Sequence, residues 1–333
     1  MKESVHTPKH PWLAGVAIAA VAGAYFFFLG TSKYPEPGGN LQYDITQYTD
    51  VDDIETRWEE AGEITLDLDM PHGLAVQDDR LYIAGKNAIS VLDANHAEVE
   101  RFEFEGEANC IAIAPDGTMF VAMPNEVQVL NADGSEGDRW TDFADRSFLT
   151  SIAATDDDVF IADAGKHVVY RYTWDGERKT EIGKKNPERD VPGIEVPSPY
   201  LDLAINDEGH LWVVNPGKLG LERFRGNGDI VTSWYHPTLE LHGFSGCCNP
   251  TQIAFSNDGK LITCEKGLVR VKVYEVTAGT FEELVVGHKL FPKEQSVRDI
   301  AVDADDRILV LDPRSDSIRI FAMKEGADVA TTT

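Results

Sequence analysis

Positive charge is scarce in this sequence. Its 333 residues hold 30 Lys and Arg against 57 Asp and Glu, a formal net charge of −27. Such a surface repels nucleic acid and anionic lipid headgroups, which need basic side chains to hold them. It attracts cations or basic partners, or it serves only to keep the chain solvated in salty surroundings. Nucleic acid is excluded as a partner on this ground. Catalytic signatures are missing as well: no Gly-rich phosphate loop, no Gly-x-Ser-x-Gly and no His-Glu-x-x-His occurs. Asn249-Pro250-Thr251 is not a glycosylation acceptor, because proline occupies the middle position. Cysteine is rare, with four in all, and two of these are adjacent.

What the chain does have is repetition. Val297 to Met323 contains three short apolar runs, Ile300–Val302, Ile308–Leu311 and Ile318–Phe321, separated by Asp-rich turns. Residues alternate in character within each run, the pattern of antiparallel strands joined by tight turns. Five more copies align on the Ala of the first strand: His72-Gly73-Leu74-Ala75, Asn109-Cys110-Ile111-Ala112, Thr150-Ser151-Ile152-Ala153, Leu201-Asp202-Leu203-Ala204 and Thr251-Gln252-Ile253-Ala254, before Arg298-Asp299-Ile300-Ala301. The Ala-to-Ala steps are 37, 41, 51, 50 and 47 residues. One small sheet cannot bury both faces unless neighbours stack on it, so this period implies propeller blades. Six copies predict an all-β, six-bladed β-propeller over residues 62–326. In several copies a polar residue ends the second strand: Asp163, Asn215, Glu265 and Asp312.

Trp12 to Gly30 runs 19 residues without a charge and ends in Tyr25-Phe26-Phe27-Phe28-Leu29. That length suits a single transmembrane helix. A cleaved secretory signal is the alternative; it wants a shorter apolar core followed by a small-x-small site, whereas Ala20-Val21-Ala22 lies inside the run. Lys2 and Lys9 precede the span and only Lys33 follows closely, which places residues 1–11 in the cytoplasm and the propeller outside, on the periplasmic or extracellular side. The chain is thus expected to partner the membrane through residues 12–30. Residues 31–61 read as a linker and arm, with either a short helix or an ordered arm in Ile45–Glu60, and 327–333 as a disordered tail. The last copy has only three strands, and closed propellers leave no open edge. Glu63–Asp69, which alternates apolar and acidic residues, is predicted to supply the fourth.

Two insertions break the period, Lys184–Tyr200 and Tyr235–Pro250. Both join the outer strand of one blade to the inner strand of the next, on the face where the tunnel opens. Long loops there build binding surfaces.

The paired patterns Val159-Phe-Ile-Ala-Asp163…Val168-Val-Tyr-Arg171 and Ile308-Leu-Val-Leu-Asp312…Ser317-Ile-Arg-Ile-Phe321 resemble those of NHL-repeat six-bladed propellers. The resemblance covers about Gly62 to Gly326 and speaks for the fold, since that scaffold hosts lyases, lactonases, sensors and pure binding modules. Pro71-His72-Gly73-Leu74-Ala75 further resembles a motif of peptidyl-hydroxyglycine amidating lyases, where histidines at this position on several blades hold a metal. Here the other copies carry Asn109, Thr150, Leu201, Thr251 and Arg298, so one histidine stands where such a site needs three. Lactonase-type relatives hold a divalent cation with Glu, Asn and Asp, which Asn109, Asp202 and Asp299 approximate, but with Arg298 opposing.

The candidate ligand or partner face comprises His72, Asn109, Asp202, His236, His242, Gln252, Arg298 and Asp299. Cys247 and Cys248 stand in the second insertion, the longest loop of that face but one, preceded by Gly246 and followed by Asn249-Pro250. With Cys110 they are candidates for a disulfide or a metal site. Three readings stay open for the adjacent pair: a vicinal disulfide stiffening the loop, a metal or haem site recruiting His236, His242 or Cys110, or a redox-active thiol. Cys264 sits where other blades have Ala84, Ala122 and Ala162, and reads as a small core residue. The functional expectation is a membrane-anchored, extracytoplasmic propeller that binds a protein or small molecule on its insertion-bearing face. The alternative is a metal-dependent or redox enzyme using the same face. No cofactor is specified by the sequence, although a metal ion fits the second reading.

Overall fold

A computed structural model describes residues 51, 54–291, 297–312 and 316–326, all within one compact unit, Tyr48–Thr333. These residues form six four-stranded antiparallel sheets. The inner strands are Gly73–Gln77, Cys110–Ile113, Leu149–Ala154, Leu203–Ile205, Gln252–Phe255 and Asp299–Val302. Each contains the Ala on which the repeats align. Second strands are buried along nearly their whole length, as in Val159–Asp163 and Leu211–Asn215, and third strands over most of theirs, as in Val168–Tyr172. Each is covered on both sides by neighbouring sheets, so their near-continuous apolar runs are what such burial demands. Outer strands alternate charged and apolar residues, as in Glu98–Glu107.

The core lies between blades. Trp140 of the second blade stacks on Tyr172 of the third, with ring centroids 5.4 Å apart and planes 13° apart. Trp234 of the fourth blade stacks on Tyr274 of the fifth at 5.5 Å. Where inner strands crowd the axis, only small residues fit. A Cβ on Gly73 would meet Cys110 Cα of the next blade at 2.7 Å.

The ring closes through the chain's first described strand. Trp58–Thr65 pairs antiparallel with Ser317–Met323, giving the sheet order of outer, third, second and inner strand seen in every other blade. Closure by an N-terminal strand was expected, but at Glu63–Asp69. The strand begins earlier, so Trp58–Glu60 belong to the propeller and not to an arm or helix, and the boundary at 61/62 moves upstream. The reason is a bulge between Glu60 and Gly62 that shifts the alternation, leaving Trp58 and Ile64 as the buried anchors. Ion pairs from Arg319 to Glu60 and from Arg57 to Glu283 of the neighbouring blade hold that register.

The apolar run 12–30, the tail 1–11, most of the linker 31–61 and the tail 327–333 lie outside the described residues. Among the described residues no helix is long and apolar enough to cross a membrane.

Candidate functional site

The six inner strands begin on one face, at the mouth of the central channel. Most of the residues at these starts are polar, because they satisfy a strand end beside a neighbouring strand end. Asn109 Nδ2 donates to Leu149 O (2.7 Å), Thr150 Oγ1 to Leu201 O (2.6 Å) and Gln252 Nε2 to Arg298 O (2.7 Å). Arg298 Nη1 donates to Pro71 O. Each of these bonds ties one blade to the next. The sequence reading took Asn109, Gln252 and Arg298 as ligand contacts; the structure gives each an inter-blade clasp as well.

Deeper in the channel the same task falls to two aspartates. Asp202 accepts from its neighbour Leu203 N (2.9 Å) and from Ile253 N of the next blade (2.6 Å). Asp299 accepts from Ile300 N (2.8 Å) and from Leu74 N across the closure (2.7 Å). Both line an internal cavity of about 100 Å³ together with Cys110. Burial raises the Asp202 carboxyl to about 6 against the pull of these donors, and raises Asp299 well above the carboxylate range, with the Asp202 charge adding to it. The Cys110 thiol is pushed up by burial and then by both carboxylates. Neither Cys247 nor Cys248 lines this cavity, so Cys110 is not brought to the pair, and all four cysteines are free. Among the described residues no three His, Cys, Asp or Glu side chains gather as a metal ligand set. The Asn109, Asp202 and Asp299 trio is therefore spent largely on backbone N–H groups and carbonyls.

Above the channel the mouth opens into a second cavity of about 180 Å³, lined by His72, Asn109, Thr150, Tyr200, Gln252 and Arg298, with Phe148 at its rim. His72 is half-buried, and burial followed by the nearby Arg298 charge lowers its pKa, so its ring is neutral at pH 7. Gln252 Oε1 is buried and has no hydrogen-bond partner among the described residues. The mouth thus offers a neutral imidazole, the Gln252 amide, a guanidinium and two aromatic rings. A small polar molecule bearing a hydrogen-bond donor fits that set.

The insertions are well-packed structure. Val191, Ile194 and Val196 of the first are buried against the third and fourth blades, and its end delivers Pro199 and Tyr200 to the mouth. The polar residues that end the second strands explain how links are captured. Asp163 Oδ1 accepts from Phe148 N, Asn215 Oδ1 from Glu195 N and Glu265 Oε1 from Ser245 N, each N–H belonging to the link arriving from the preceding blade.

Beneath the second insertion lies a buried charge cluster. Arg270 holds Glu265 through Nε (2.6 Å) and Nη2 (2.9 Å), and Lys272 Nζ approaches the same carboxylate at 3.0 Å. All three side chains are at most 1% exposed. Lys272 also donates to Gly243 O (2.6 Å) and sits 4.4 Å from the Phe244 ring centroid, so the loop is clamped from below. Burial lowers the Lys272 ammonium to about 8. His236 is half-buried, with Nε2 bonded to Gly279 O and its ring stacked on Trp234. His242 is exposed and gives only its carbonyl, to Tyr274 OH. Neither histidine lines the mouth cavity. Cys247 is exposed, Cys248 is buried, and their Sγ atoms are 3.2 Å apart.

Sequence reasoning placed His72, Asn109, Gln252 and Arg298 on one face, and they share one cavity. It missed Phe148 and Tyr200, whose place depends on where irregular links fold. It also missed the Glu265, Arg270 and Lys272 cluster. The signal was present in Arg270-Val271-Lys272-Val273, where cations alternate through a strand that must be buried and so require a buried carboxylate.

No known family model matches the chain, and no curated relative does. Solved structures do resemble it. A streptogramin B lyase is 15% identical, over 80% of this chain and 98% of that one, with a TM-score of 0.57. Virginiamycin B lyase from Staphylococcus aureus is 18% identical, over 80% and 100%, with a TM-score of 0.54. The WD40 propeller domain of Doa1 is 9% identical, over 81% and 99%, with a TM-score of 0.53. At these identities the likeness is one of fold: the chain is a six-bladed propeller, and propeller-like folds serve proteins of different function.

Proposed function

We propose that this protein is a membrane-anchored, extracytoplasmic binding module that takes a small polar ligand, or a protein side chain presenting one, at the mouth of its propeller. The observation that carries the reading is the 180 Å³ cavity at the channel mouth, with His72, Gln252 and Arg298 in its wall and the end of the first insertion, Pro199 and Tyr200, beside them. Rigid blades position these groups while loops supply Tyr200 and Phe148 at the rim, the division of labour that binding sites on such scaffolds use. The anchoring rests on the uncharged run 12–30 and on the lysine bias around it. NHL-type membership rests on the repeat pattern.

The runner-up is an enzyme on the same face. Two structural neighbours are lyases named for streptogramin B and virginiamycin B, and His72, neutral at the mouth, has the character of a general base. A thermal-shift screen of small molecules against the purified full chain separates these ideas. Hits should lose about tenfold or more in affinity in both His72→Leu and Gln252→Leu, a loss of about 1.4 kcal/mol. Hits that bind both variants as tightly as the parent refute the mouth as the site. Turnover of a hit, lost in His72→Leu, would establish the enzyme reading.

A further inference from the structure

The adjacent cysteines are placed for more than stiffening a loop. Cys247 faces solvent, and Cys248 beside it is only 1% exposed. The loop that carries them is held on both sides: Ser245 N donates to Glu265, and Asn249 Nδ2 donates to Ser245 O (2.6 Å) and Lys266 O (3.2 Å). Asn249 Oδ1 in turn accepts from Lys266 N (2.8 Å). Lys266 then spans to the other insertion, where Nζ donates to Ser198 Oγ (3.1 Å) and lies 4.5 Å from the ring centroid of Tyr200. Tyr200 lines the mouth cavity, and the residues three and four past Cys248, Thr251 and Gln252, line it as well. One short hydrogen-bonded path therefore joins the sulfur pair to two sides of the cavity.

We propose that Cys247 and Cys248 form a thiol–disulfide site that exchanges with disulfides of the extracytoplasmic space, and that its oxidation state sets the position of Tyr200 at the mouth. The chemistry is two-step. The Cys247 thiolate attacks one sulfur of an external disulfide, forming a mixed disulfide and releasing the first thiol. The Cys248 thiolate then attacks Cys247 Sγ, closing the internal disulfide and expelling the second thiol. Two protein thiols are oxidised, one external disulfide is reduced, and each thiolate's proton goes to a departing sulfur. Joining the sulfurs draws them about 1 Å closer. Cys248 adjoins Asn249, whose side chain is hydrogen-bonded to Lys266 N and O, so a shift of Cys248 is passed along the Asn249–Lys266 link. The Cys248 sulfur, by its hydrogen bond, raises the Cys247 thiol above its ordinary value, so exchange quickens as pH rises. The effect on ligand binding rests on the mouth being the binding site; the sulfur chemistry does not.

The test treats the reduced full chain with oxidised glutathione and follows it by intact mass and hydrogen exchange. The expected product is lighter by two hydrogens and carries no lasting glutathione. Cys248→Ala should retain one glutathione on Cys247, and Cys247→Ser should take up none. Exchange in residues 196–203 and 245–252 should slow by at least about threefold on oxidation, while other blades stay unchanged. A persistent glutathione adduct on the parent, or a bond formed with Cys110 or Cys264, overturns the sulfur chemistry. Unchanged exchange at 196–203 overturns the coupling to Tyr200. Ligand affinity of the reduced chain is measured separately, so failure of the mouth reading is told apart from failure of this one.

Discussion

Replacing Glu265 by Gln removes the one carboxylate that two buried cations share. Arg270 and Lys272 would be left facing each other with side chains at most 1% exposed. Breaking a buried pair by deleting one partner costs about 3–5 kcal/mol, and the shared role of Glu265 puts this variant at about the upper end. Lys272→Met is the informative contrast. It leaves the bidentate Glu265–Arg270 pair charge-balanced but gives up the bonds to Leu241 O and Gly243 O, worth about 1 kcal/mol each. Against that stands the cost of burying the ammonium, which lowers it to about 8, some 2 units below its ordinary value, or about 3 kcal/mol. The contrast variant should therefore be within about 1–2 kcal/mol of the parent. The sign with pH follows. Between about 8 and about 10.4 the unfolded chain keeps a proton that the folded chain has released, so this lysine's contribution makes the parent more stable as pH rises through that window. Urea unfolding followed by Trp fluorescence, at pH 7 and pH 9.5, reads both effects as differences between parent and Lys272→Met. Equal losses in the two variants at pH 7, or a parent-minus-variant difference that does not move with pH, would refute the charge-excess account of the loop clamp.

Ring closure gives another expectation: Trp58→Ala should cost about 3–5 kcal/mol by emptying a buried anchor of the closing strand, and chains starting at Ala61 should melt below those starting at Asn40 in calorimetry. Gly73→Ala must push against Cys110 Cα at 2.7 Å, so it should cost about 1–3 kcal/mol in urea unfolding and weaken ligand binding at the mouth. In the channel, burial raises both Asp202 and Asp299, and the Asp202 charge raises Asp299 further, so the two titrate as a coupled pair. Because Asp202 is raised to about 6 in the fold, its contribution favours folding most below about pH 4 and is lost as pH rises from there through about 6. Carboxyl carbon shifts in NMR should show one midpoint near 6 and one well above the ordinary range.

The sequence exposed the ring because blade periodicity is a backbone property. Each inner strand needs its small Ala, each turn its Asp or Gly, and six copies of that requirement are visible without knowing any contact. The mouth was half legible for the same reason: His72, Asn109, Gln252 and Arg298 head inner strands, so topology alone gathers them. Their double duty was not legible, since whether Asn109 faces a ligand or Leu149 O depends on side-chain rotation. Phe148, Tyr200 and Lys266 lie on links without period, and only folding reveals that Lys266 reaches across to Ser198. The closing strand was misplaced by a bulge, which alters phase without altering composition. Cys110 could be placed on its strand but not excluded from the cysteine pair until the loop's path was known.

The central claim, that the insertion-bearing mouth is where this propeller binds, is tested most directly by crystallographic fragment screening of the protein. Fragments should cluster in the cavity walled by His72, Gln252, Arg298 and Tyr200. Clustering instead in the opposite-face cleft lined by Asp79, His96, Asp303 and Arg307, with the mouth empty, would contradict it.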